Sequence, residues 1–231
     1  MGGVYRKLDV TKTIETIDQL RLRIGDRFPD SGLFNVCGEL REIATHSNHT
    51  IRFVSRPIYW LRIGFGFLIL AGLVTLVYSF TLIDPEMGEI EFVDLVQAAE
   101  SSVNDLIFIG AAIYFLFRTE TIIKRKRALK DLHELRTIAH VIDMHQLTKD
   151  PKSLNANGTQ HSPKREMNNY ELSRYLDYCS EMLSLTSKVS ALYANDYNDE
   201  VVLNTINEIE DLTTSLSGKV WQKIMIIKTE D

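Results

Sequence analysis

The chain has 231 residues, 45% of them apolar, with 26 Lys+Arg against 31 Asp+Glu for a formal net charge of −5. Soluble domains usually need ~50 residues or more, so once any membrane segment is set aside there is room for one or two small bundles and none for a large catalytic domain. The charge is uneven: 10 basic against 14 acidic residues over 1–117, 11 against 5 over 118–165, and 5 against 12 over 166–231, which makes the middle basic and the tail acidic.

The start lacks the basic stretch, short apolar run and small-residue cleavage site of a signal peptide, so the N-terminus is expected to stay inside the cell. Met1-Gly2-Gly3 begins like a myristoylation site, but Arg6 stands where Ser or Thr is needed. Residues 1–56 read as N-terminal cytosolic helices. The first places Val10, Ile14, Ile17, Leu20 and Ile24 on one stripe and stops at Phe28-Pro29-Asp30-Ser31-Gly32; the second carries Leu33, Val36, Cys37, Leu40, Ile43 and Ala44 and runs towards Pro57. Cys37 and Cys179 both fall at apolar positions of helical patterns and read as buried thiols in a reducing compartment.

Residues 57–83 read as a first transmembrane helix. Ile63 to Ile83 is 21 residues without a charge, and at ~1.5 Å per residue it spans the ~30 Å hydrocarbon layer. Arg52, Arg56 and Arg62 interleave with Tyr59 and Trp60 at its start, the cationic and aromatic mixture of a headgroup boundary on the cytosolic side. Its far end opens onto Asp84-Pro85-Glu86-Met87-Gly88-Glu89-Ile90-Glu91, so residues 84–103 read as an external acidic loop or amphipathic helix.

The return crossing is harder to place. Leu106 to Phe117 is uncharged for 12 residues, or ~18 Å of helix, too short for the bilayer. Something polar must be immersed, either Arg118 and Glu120 or Glu100 and Asp105. Lys124-Arg125-Lys126-Arg127 and Lys130 follow, fixing that end in the cytosol. Residues 104–148 therefore read as transmembrane helix 2 with a long cytosolic extension, 149–167 as a basic loop, and 168–231 as a C-terminal helical pair. Of that pair, the first carries Leu172, Leu176, Cys179, Met182, Val189 and Leu192, and the second Val202, Ile206, Ile209, Leu212, Leu216, Val220 and Ile224. The fold class expected is all-α: an integral membrane hairpin of two transmembrane helices with a cytosolic helical bundle, in the inner (cytoplasmic) membrane.

No catalytic constellation can be named, so the chain is not expected to be an enzyme. His133-Glu134 lacks a second His four residues on, and His133, His140 and His145 have no thiolate or carboxylate cluster beside them, so no metal and no cofactor is expected. The crossings are more informative. Gly64, Ala71, Thr75 and Ser79 share one side of the first, with Gly72 beside them, a stripe that lets helices approach closely in lipid. On the second segment Asp94, Gln97, Ala98, Ser101, Asp105, Ala112 and Thr119 fall near one face. A ring of such faces around a symmetry axis makes a wetted path, with Asp94, Ser101, Asp105 and Thr119 as the ion pathway; the competing reading lays 92–102 on the outer headgroups. Arg125, Arg127, Lys149, Lys164 and Arg165 are the candidates for holding an anionic ligand, a nucleotide or a short single-stranded oligonucleotide. Topogenic and solvated charge explains the same residues, and Tyr170 is the nearest aromatic for base stacking.

Helices on both sides of a two-crossing hairpin, together with the stretch Ile138-Ala139-His140-Val141-Ile142-Asp143-Met144-His145-Gln146-Leu147-Thr148-Lys149-Asp150-Pro151, resemble the SLATT-type two-transmembrane effectors of bacterial antiphage defence. Within that setting the chain is similar to the membrane effector of Hailong-type systems. The likeness spans most of the chain in architecture but only residues 138–151 in wording, and it carries no functional motif. It implies a homo-oligomeric channel whose opening depolarises the cell, controlled by a nucleotide or oligonucleotide made by a partner nucleotidyltransferase. The rival is a non-catalytic membrane scaffold or a subunit of an envelope complex, since architecture alone does not decide function.

Overall fold

The computed structural model describes residues 7–81, 92–149 and 167–230, together with Pro151 and His161. The described residues are helical and hold no strand: α1 (Val10–Arg27), α2 (Gly32–Val54), α3 (Tyr59–Thr81), α4 (Phe92–Leu147), α5 (Asn169–Ala191), a 3₁₀ turn (Leu192–Asn195) and α6 (Glu200–Glu230). They form two compact units, one of residues 1–55 and 125–231 and the other of residues 56–124. The division falls inside α4, a single helix of 56 residues, or ~84 Å.

The first unit is a helical bundle with one apolar core. Each helix contributes a stripe at three- and four-residue spacing: Ile17, Leu20 and Ile24 from α1, Leu33, Cys37 and Leu40 from α2, Leu132, Leu135 and Ile142 from α4, Leu176, Cys179 and Met182 from α5, and Val202, Ile209 and Val220 from α6. Val10, Ile14, Ile43 and Leu212 are only partly buried and pack at the edge of that core. Both cysteines are free and buried, and burial pushes each thiol up to about 12.

Side chains fix where these helices begin. Asp9 accepts from the backbone N–H groups of Thr11 and Lys12, and Ser31 from that of Phe34. Asn168 and Glu171 form a reciprocal capping box at α5. Asp199 accepts from the N–H groups of Val201 and Val202 at α6. Between α1 and α2, Asp30 adopts a left-handed backbone (φ 56°), a conformation Asp tolerates better than most residues, and so turns the chain after Pro29.

In the second unit the packing is different in kind. Two helical stretches, each divided between the units, are long and apolar enough to cross a membrane: Gly32–Thr75, whose uncharged part lies in α3, and Val103–Leu147 of α4; only 11% and 6% of their most apolar windows are buried within the chain. Large side chains such as Phe67, Leu68, Ile107 and Phe108 lie on the outside. Between α3 and α4, Arg62 bonds Glu120, and a Cβ at Gly72 would lie 4.0 Å from Ile109 Cγ1. Residues 82–91, which hold the acidic loop, lie outside the described residues.

Helix α4 begins at Phe92, twelve residues before the rod expected from Asn104. Acids at Asp94 and Glu100 dilute the apolar pattern there, but the segment has no breaker, and α-helix continues through it.

Candidate functional site

The polar face of α4 is built by period alone. Asp105 and Thr119 are 14 residues apart, ~21 Å along the helix and ~40° apart around it. Both are half-buried, which sets them apart from the exposed Leu106, Phe108 and Phe117 nearby. Asp94 and Ser101 lie on α4 too, but their side chains lie outside the described residues.

Among the polar groups flanking the apolar part of α4, Glu120 has a geometry that composition alone left open. Glu120 is 6% exposed. Its carboxylate accepts from Lys124 Nζ at 2.8 Å, from Arg62 Nε at 3.1 Å and from the backbone N–H of Ile58 at 3.4 Å. The Lys124 and Glu120 side chains are almost equally withdrawn from solvent, at 12% and 7% exposed. A buried carboxylate is tolerable only when charge and hydrogen bonds compensate it, and here two cations and one peptide N–H do so. The bond to Ile58 also supplies a partner to one of the free N–H groups ahead of the first turn of α3. The cluster therefore pins the start of α3 to α4 at a defined height.

The described basic candidates, Arg125, Arg127 and Lys149, do not converge. Arg125 is held by Asp199 through Nε at 3.0 Å and Nη2 at 2.8 Å, and Asp199 in turn caps α6. Arg127 lies over the Phe53 ring, 4.6 Å from its centroid, and Lys149 lies 5.3 Å from that of Tyr175. Arg125 and Lys149 are 24 residues apart, or ~36 Å of helical rise, too far for one nucleotide to touch both. Lys164 and Arg165 lie outside the described residues. The three described members of the expected anion site thus make separate contacts within the first unit, each facing a carboxylate or an aromatic ring.

Sequence reasoning missed the Glu120 cluster as a unit, although its signal was present: Glu120 and Lys124 are one helical turn apart, and Arg62 stands at the edge of an apolar run. It also missed Asp131, which is 1% exposed and accepts a hydrogen bond from the hydroxyl of Tyr193 at 2.7 Å. Nothing in the spacing of residues 131 and 193 announces that pair.

Comparison with protein-family models, with curated proteins and with solved structures finds no match to this chain.

Proposed function

We propose that the chain is an integral membrane protein that crosses the bilayer twice, through α3 and the 104–123 part of α4, with both termini in the cytosol, and that it acts as a homo-oligomeric ion-conducting effector in antiphage defence. The observation that carries the membrane reading is the apolar exterior of the second unit. Leu68, Leu70, Ile107 and Phe108 are solvent-facing in the isolated chain, an arrangement that is costly in water and natural in lipid. Arg62 against Glu120 and Gly72 against Ile109 support a hairpin. Trp60 at 71% and Tyr59 at 67% exposed support a headgroup boundary at the same end.

Oligomerisation is supported by the small-residue side of α3, on which Ala71 is exposed. Conduction is supported by the half-buried Asp105 and Thr119 on one face of α4, and control by a nucleotide or oligonucleotide rests on the resemblance to the defence effectors. The non-conducting scaffold remains the second reading. What favours it is that Arg125, Arg127 and Lys149 are engaged within the fold and form no assembled anion site among the described residues.

Topology is the first test. A cysteine placed at Glu89 is expected to react with an impermeant maleimide added to intact cells, while a reporter fused after Asp231 stays protected; the opposite pattern overturns the hairpin. In mild detergent the protein is expected to run as a discrete oligomer, and a monodisperse monomer removes the basis for a shared pore.

A further inference from the structure

Serine and threonine hydroxyls in helices usually donate back to the carbonyl four residues earlier, and this chain follows the habit at Thr45, Thr137, Thr186 and Thr205. Ser47 and Thr50 do not. Each is fully buried within the first unit, and neither oxygen has a hydrogen-bond partner among the described residues. Three residues apart on α2, they share a face and lie within reach of the hydroxyl of Tyr193. Tyr193, from the 3₁₀ turn, gives its proton to Oδ2 of Asp131 on α4. The other carboxylate oxygen, Oδ1, is buried and has no hydrogen bond.

Two aliphatic hydroxyls and one carboxylate, from two helices, therefore gather around the phenol of Tyr193 in the core. Three of their oxygens are orphaned, whereas buried polar atoms are satisfied in the great majority of cases. No buried cation faces the carboxylate among the described residues. Of the described basic groups, His46 Nε2 comes within 3.7 Å of Oδ1, but this imidazole is 54% exposed and is charged only when protonated. A water molecule would bridge the oxygens and leave the carboxylate's charge as it is. An all-oxygen set carrying one negative charge suits a hard monovalent cation, which the carboxylate neutralises. No group of three His, Cys, Asp or Glu lies together among the described residues to raise the charge towards what divalent ions favour.

We propose that Ser47, Thr50, Asp131 and Tyr193 bind one dehydrated monovalent metal cation of the sodium or potassium class inside the first unit. The proposal does not depend on conduction. A ligand that binds only the folded state raises the unfolding midpoint as it saturates.

The full-length protein in mild detergent is unfolded thermally in LiCl, NaCl, KCl, CsCl or choline chloride at one ionic strength. One of the metal ions is expected to raise the midpoint by about 3 °C or more over choline, saturably and with a size preference. Ser47→Ala with Thr50→Val, which keeps the apolar packing, is expected to abolish that ion-specific shift; His46→Gln is expected to retain it. Crystals soaked in rubidium are expected to show an anomalous peak within coordination distance of Asp131 Oδ1. Midpoints equal in all five salts, a shift unchanged in the double variant, or density for water alone at that position overturns the proposal.

Discussion

Glu120 shows how a buried carboxylate is made tolerable by its partners. Its carboxylate is held by Lys124, Arg62 and the Ile58 N–H, so removing it strands Lys124, which is itself almost buried. Glu120→Ala is expected to destabilise the second unit by about 3 kcal/mol or more, the usual consequence of leaving one buried charge unpaired. Glu120→Ala with Lys124→Met is expected to recover most of the loss. Stability measured in detergent for the two variants checks this, and equal losses would contradict the assignment. Gly32 is constrained in a different way. A Cβ there would come 2.5 Å from His145 Cε1, and the imidazole also lies 3.5 Å from the hydroxyl of Tyr175. Gly32→Ala is expected to cost about 1–3 kcal/mol by overpacking. Burial, and then the positive charge of Lys149, hold the His145 pKa below its ordinary value. As pH falls, the unfolded chain takes up that proton first, so stability is constant above the ordinary imidazole value of about 6.5 and falls below it. His145→Gln is expected to flatten this part of the pH–stability curve.

At the scale of elements, the amphipathic helices were legible because burial writes a face into the sequence. Leu172, Leu176, Cys179, Met182, Val189 and Leu192 were picked out by period, and all are buried. Long-range polar pairs leave no such trace: the Tyr193 hydroxyl meets Asp131 across 62 residues, and Arg125 meets Asp199 across 74. Only the folded chain brings them together. Arg125 in particular looked like a ligand contact and proves to hold the cap of α6. Arg125→Gln is therefore expected to lower the stability of the first unit with or without any nucleotide present. A variant of full stability that loses only a nucleotide response would restore the residue to a binding role. The stripe on α3 makes a complementary prediction. Ala71 and Thr75 are exposed, so Ala71→Phe is expected to leave the isolated fold intact and break the oligomer, as mass measurement in detergent would register.

For the whole molecule, the membrane reading joins the apolar exterior of residues 56–124 to a separate soluble core, and the channel reading adds that copies surround a polar path along α4. A ligand can bias such a path only through different affinities for its open and closed arrangements. The direct test is electrical. Purified protein, shown to be inserted and oligomeric, is reconstituted into planar bilayers and recorded with and without nucleotides and short oligonucleotides. The account predicts discrete currents whose ion selectivity changes in Asp105→Asn. Bilayers that stay silent under every one of these conditions would contradict it and leave the chain a scaffold.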